Sequence, residues 1–124
     1  DLSMDDIDLA QADMIVLPGG MPGTTNLYAD KRVTSAVRAM YDAEKYVAAI
    51  CAAPSVILGG MGLLKGRRAT CYPGMEDGME GAEAVPTACG VGGALDFACA
   101  LITALISREK ADEIALSVVY HAAN

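Results

Sequence analysis

Hydrophobic positions along this chain follow two periodicities. Met14, Ile15, Val16 and Leu17 are consecutive and close a run that begins at Ala12, the pattern of a strand buried on both faces. The turn Pro18-Gly19-Gly20-Met21-Pro22-Gly23 stops it. From Asp30 the apolar residues Val33, Val37, Met40 and Tyr41 recur at helical spacing, with Asp30 as the N-cap. Tyr46 to Ile50 reads as a second strand, and Pro54 to Leu58 opens a short helix ended by Gly59-Gly60. A third strand is expected from Arg67 to Tyr72, after a Lys65-Gly66 turn.

Between Pro73 and Gly93 the chain carries six glycines and two prolines, so it reads as loop with one short strand at Ala84 to Ala88. Leu95, Ala98, Cys99, Ile102, Leu105 and Ile106 then form the apolar stripe of a helix. A last helix from Ser107 carries Ala111, Ile114, Ala115, Val118 and Val119 on its inner face. Strands alternating with helices predict an α/β fold with a mainly parallel sheet. Residues 1–124 are expected to form one domain, with no internal repeat, linker or low-complexity tract.

Apolar residues make up 53% of the chain, with one Phe and no Trp, so the core is expected to be aliphatic and filled out by Met. The net charge of −7 argues against nucleic acid or an anionic membrane as partner, since both would repel it. Cys51, Cys71, Cys89 and Cys99 lie far apart, with only His121 to complete a metal set, so no zinc site is expected. No secretory signal opens the chain and no 18-residue apolar run interrupts it. The expectation is free thiols in a reducing cytoplasm.

Chemistry concentrates at Val47-Ala48-Ala49-Ile50-Cys51-Ala52-Ala53-Pro54. An apolar run ends on a cysteine and gives way at once to small helix-compatible residues, which places a thiol at a strand-to-helix corner. Such a corner holds a nucleophile out of the sheet plane, often in a strained backbone conformation. A helix start behind it offers unpaired N–H groups and a positive dipole end to a thiolate. A small buried hydrophobe is the alternative reading of Cys51. Parallel neighbours would bring Gly19 and Gly20 to the same sheet edge, where backbone N–H groups beside the thiol could form an oxyanion hole.

The segments Val16-Leu17-Pro18-Gly19-Gly20-Met21-Pro22-Gly23, Ala48-Ala49-Ile50-Cys51-Ala52-Ala53-Pro54 and Ala69-Thr70-Cys71-Tyr72-Pro73-Gly74 closely resemble the ThiJ/PfpI superfamily, in the branch that includes the Parkinson-disease protein deglycase. The tail Gly93-Ala94-Leu95-Asp96-Phe97-Ala98 resembles its closing helix. The resemblance implies a class I glutamine amidotransferase-like, flavodoxin-like three-layer sandwich, usually a cytoplasmic homodimer. It further implies Cys51 as nucleophile and the Gly20 and Ala52 N–H groups as oxyanion donors; a thiohemiacetal step at that thiol needs no metal or organic cofactor. Tyr72 stands where some relatives have a histidine; a phenol is a poor base at neutral pH, so an orienting or packing role is expected.

By the same resemblance the fold is incomplete at its N-terminus. A first strand and a glutamate that hydrogen-bonds the cysteine are expected from an upstream segment or a separate chain. Glu76 and Asp96 are the substitutes to test. The loop from Gly81 to Cys89 is about ten residues shorter than the family's hairpin, and Cys89 takes the place of a common Arg. The implied activity is cysteine-dependent hydrolysis or lysis of a reactive carbonyl or glycated adduct, of glyoxalase III or deglycase type. A non-catalytic redox sensor or chaperone is one alternative, and a cysteine peptidase or amidase another. His121 is expected at a frayed surface, Cys71 and Cys99 in the core, Cys89 as a second exposed thiol, and Glu109, Lys110, Asp112 and Glu113 on a solvated face.

Overall fold

The computed structural model describes residues 2–84 and 93–118. Strand β1 (Met14–Leu17) pairs in parallel with β2 (Tyr46–Ala49), from Met14 opposite Tyr46 to Leu17 opposite Ala49. This register ends both strands at one sheet edge, and Ile50 N–H extends the ladder to the Leu17 carbonyl at 3.2 Å. Parallel strands need a crossover; here it consists of α1 (Gly23–Ala29) and α2 (Lys31–Asp42).

Helix α2 follows its pattern. The Asp30 carboxylate accepts from Arg32 N–H at 2.9 Å and caps the helix, while Val33, Ala36, Val37 and Met40 are buried along one stripe. Leu17, Val33, Val37, Ala53, Ile57 and Leu63 meet in the main core. The periodicity did not announce α1. Its sequence is rich in Gly, Thr and Asn, weak helix formers, and tertiary contacts hold it. Thr24 is fully buried with its hydroxyl on the Gly20 carbonyl at 2.9 Å, and Tyr28 Oη donates to the Gly60 carbonyl at 2.9 Å.

Past the elbow the expected third strand shrinks to β3 (Arg68–Ala69), which pairs in parallel with β4 (Glu83–Ala84) in a separate two-stranded sheet. The reason lies at the far end of the expected run: Tyr72 N–H donates to the Cys51 carbonyl at 2.7 Å, which draws the chain toward the elbow. Cys71 turns inward onto Leu64 and Met79 in a second small core. The strand expected at Ala84 to Ala88 lies outside the described residues beyond its first position.

Helices α3 (Ala94–Leu105) and α4 (Arg108–Ser117) form where expected, with the Ser107 hydroxyl accepting from Lys110 N–H at 3.2 Å. Their burial corrects the expectation. No residue of α3 is buried, and Leu95, Leu105 and Ile106 are exposed; on α4 only Ala111 is buried, while Ile114 and Val118 are exposed. The two helices pack chiefly on each other. The apolar stripes are real, but among the described residues no second layer covers them. Val119 lies outside the described residues. The chain therefore has an α/β fold with parallel strand pairing in partial form. Among the described residues no helix is long and apolar enough to cross a membrane.

Candidate active site

The shared end of β1 and β2 brings the glycine turn against the cysteine. A Cβ on Gly19 would lie 2.5 Å from the Cys51 Cβ and 3.2 Å from its Sγ, so only glycine fits there. Gly20 takes φ +91°, and its carbonyl accepts both Thr24 N–H at 2.8 Å and the Thr24 hydroxyl at 2.9 Å. Those two bonds anchor the turn to the start of α1.

Cys51 itself has φ +61°, a left-handed conformation that costs a non-glycine residue about 1–2 kcal/mol. Hydrogen bonds on each side hold it: Ile50 N–H to Leu17, Ala53 N–H to the Ile50 carbonyl at 3.2 Å, and the Cys51 carbonyl to Tyr72 N–H. The thiol is free and half-buried. Among the described residues, no side chain hydrogen-bonds it, and the N–H groups of Gly20 and Ala52 have no hydrogen-bond partner. The segment behind it, Pro54–Gly59, is a single wide π-helical turn and not the regular helix expected. Six residues develop little macrodipole, so the local N–H groups carry the electrostatics of the corner.

Ala52, Ala53, Pro54 and Ser55 are buried, and Tyr72 is 48% exposed. The Tyr72 side chain is half exposed, and its backbone N–H is bound to the Cys51 carbonyl. Ser55 was missed by the sequence reading. Its hydroxyl donates to the Met75 carbonyl at 2.7 Å, and a lone polar residue in the run Ala52-Ala53-Pro54-Ser55-Val56-Ile57-Leu58 was the available signal.

Glu76, a candidate for the missing acid, lies exposed in the turn after β3. Its carboxylate accepts from its own N–H and from Gly74 N–H at 3.1 Å, which holds it below its ordinary 4.5 and ties it into an exposed turn. Asp96 lies exposed in the first turn of α3. Cys71 is in the core as expected, but Cys99 is only half-buried on α3. Cys89 and His121 lie outside the described residues. Glu109, Lys110, Asp112 and Glu113 form the expected solvated face, with Lys110 bridging Glu113 at 2.9 Å. Among the described residues no three His, Cys, Asp or Glu side chains cluster as a metal site.

Two hollows frame the elbow from a distance. A cleft of about 440 Å³ sits at the amino end of β2, lined by Tyr41, Lys45, Tyr46, Leu63 and Arg67, with the Arg67 guanidinium 5.0 Å from the Tyr41 ring centre. Cys51 is not among its lining residues. A second, apolar groove of about 290 Å³ touches Met14, Ile15, Val16, Leu17 and Pro18 in succession, together with Ile7 and Leu9. Successive strand residues point to opposite faces, so this groove runs along the β1 edge that does not pair with β2.

A parallel strand pair ending in a Gly-Gly turn and a left-handed cysteine elbow defines a class of α/β proteins with a cysteine at the carboxyl edge of the sheet. A profile of the DJ-1/PfpI family matches residues 1–104, and the chain belongs to that family. It is similar to Protein DJ-1 homolog A of Arabidopsis thaliana, 35% identical over 126 residues, covering 92% of this chain and 32% of that protein. It is also similar to Deglycase PH1704 of Pyrococcus horikoshii, 38% identical over 80 residues, 64% of this chain and 46% of that one. The crystal structure of Drosophila melanogaster DJ-1beta superposes with a TM-score of 0.87 at 27% identity, over 97% of this chain and 70% of that chain. The chain thus spans about a third to a half of the length of these curated relatives.

Proposed function

We propose that this chain carries the nucleophile of a cysteine-dependent enzyme acting on small reactive carbonyls or glycated adducts, of glyoxalase III or deglycase type. The single observation behind this reading is Cys51 at φ +61° with Gly19 pressed against it, a strained arrangement with no evident structural purpose. The family's deglycase-named members support the enzyme class.

In this reading the Cys51 thiolate attacks the aldehyde carbon of a 2-oxoaldehyde. A C–S bond forms, the carbonyl π pair moves to oxygen, and the Gly20 and Ala52 N–H groups receive the oxyanion. A proton then passes from that carbon to its neighbour, and water releases the hydroxy acid and frees the thiol. Tyr72 orients the substrate. No acid or base touches the thiol among the described residues; a strand added along the free β1 edge, carrying a carboxylate at its end near the elbow, would cover the apolar groove there. The working unit is proposed to be a cytoplasmic homodimer.

Cys51→Ser in the complete protein should abolish methylglyoxal consumption; wild-type turnover in that variant would remove the assignment. The rival reading, a redox sensor or chaperone, is favoured by the lack of a described acid or base on a half-buried thiol. Intact mass after mild peroxide, paired with a glyoxal assay on the same sample, separates the two. Oxidation of Cys51 without turnover at any substrate concentration selects the sensor. A peptidase or amidase would also need a base at the thiol, and none touches it among the described residues.

A further inference from the structure

The cleft at the amino end of β2 takes no part in the chemistry of the elbow, and its lining has two chemical characters. Val47, Leu58, Leu63 and Leu64 give it an aliphatic wall, and Arg67 sets a guanidinium beside that wall. The guanidinium is held twice by one residue: it lies 5.0 Å from the Tyr41 ring centre, and its Nε and Nη2 both donate to the Tyr41 hydroxyl, at 3.3 and 3.1 Å. The Arg67 backbone is fixed as well, its N–H on the Leu64 carbonyl at 3.0 Å and its carbonyl accepting Glu83 N–H at 2.9 Å. A guanidinium presents its donors as a planar fork, and Tyr41 uses only the Nε and Nη2 side. The end formed by Nη1 and Nη2 stays open, since among the described residues no carboxylate pairs with Arg67. The other charges in the cleft do not compete for it. The Lys45 ammonium donates to the Ala10 and Ala12 carbonyls at 3.0 and 2.8 Å, and Glu44 is exposed and pairs with neither cation.

We propose that this cleft binds a small monocarboxylate with an apolar body. The carboxylate takes the open end of the Arg67 guanidinium in two parallel hydrogen bonds, and the hydrocarbon lies on Val47, Leu58, Leu63 and Leu64. A carboxylate matches that fork in shape and in charge. An inorganic phosphate would bring more charge than one guanidinium balances and nothing for the aliphatic wall. The volume of about 440 Å³ falls within the range of small-molecule sites and has room for an acid of about eight carbons. The site stands apart from the carbonyl chemistry proposed for Cys51.

Calorimetric titration of the full chain with octanoate tests it, at about 0.15 M salt to screen the repulsion from the net charge of −7. Octanoate should saturate one site. Octanamide, which lacks the charge, and acetate, which lacks the hydrocarbon, should each bind at least about tenfold more weakly. Arg67→Gln, at an exposed side chain, should weaken octanoate at least about tenfold and leave octanamide within about twofold. Arg67→Lys keeps the charge without the fork and should fall between the two. Tyr41→Phe keeps the ring but frees the guanidinium, and should weaken octanoate about threefold. Prior alkylation of Cys51 should change nothing, which separates the cleft from the elbow. The comparison of octanoate with octanamide is made on the wild-type chain, so it decides the matter even where a variant fails to fold. Equal affinity for the acid and its amide, wild-type affinity in Arg67→Gln, loss of binding on Cys51 alkylation, or no saturation below about 10 mM octanoate would overturn the proposal.

Discussion

Helices α2 and α3 are each twelve residues long and carry an apolar stripe that the sequence displays plainly, yet they end in opposite situations. Val33, Ala36, Val37 and Met40 of α2 are buried against the parallel pair, whereas α3 buries nothing and leaves Leu95 and Leu105 exposed. Periodicity states which face of a helix is apolar. It does not state whether another surface is present to cover that face, and that second condition decides how much the stripe stabilises the chain.

The largest test of this contrast is a pair of truncations. Ile57→Ala, at a fully buried site in the core that α2 joins, should cost about 2–5 kcal/mol, while Leu105→Ala should change stability by less than about 0.5 kcal/mol. Urea unfolding followed by circular dichroism reads both. Equal losses would mean that α3 is packed as tightly as α2.

Next in size is the elbow. Gly19→Ala forces a Cβ to within 2.5 Å of the Cys51 Cβ, an overpacking worth about 1–3 kcal/mol. It should also slow Cys51 alkylation, because the strands' shared end must part to admit the methyl group. A variant with wild-type stability and thiol reactivity would show that the glycine turn is not pressed on the cysteine.

A smaller effect, confined to acid, belongs to the α2 cap. The Arg32 guanidinium, then Arg32 N–H, holds the Asp30 carboxyl below its ordinary 3.8. A lowered folded value means that the group favours the folded state above the unfolded value, and that this support is lost as pH falls through the folded one. The stability gap between wild type and Asp30→Asn should therefore be constant near neutrality and close below about pH 3.8. A gap that persists at pH 2 would assign the loss to packing. Smallest of all, Arg108→Ala breaks an exposed pair with Asp112 at 3.1 Å and should stay within about 0.5 kcal/mol of wild type.

Local pattern carried β1, α2, β2 and the cysteine corner because each depends on a run of neighbours: four consecutive apolar residues, an N-cap with a helical stripe, a thiol after a strand. What escaped depends on partners distant in sequence. Helix α1 forms because Thr24 reaches back to Gly20 and Tyr28 reaches across to Gly60. The third strand ends early because Tyr72 bonds Cys51, and Ser55 finds its acceptor only when Met75 returns beside it. At the site, the cysteine corner and the glycine turn were legible, and Gly19 lies against Cys51; the π-helical turn behind them and the exposure of Tyr72 were not.

Among the described residues two free thiols are half-buried, Cys51 at the elbow and Cys99 on α3, and they allow the central claim to be tested within one molecule. Iodoacetamide labelling of the native full chain at neutral pH, quantified by peptide mass, compares a thiol set at a left-handed corner among unpaired N–H groups with one on a helix of similar exposure. If the elbow activates the thiol, Cys51 should react at least about tenfold faster than Cys99. Equal rates, or faster labelling of Cys99, would contradict the account.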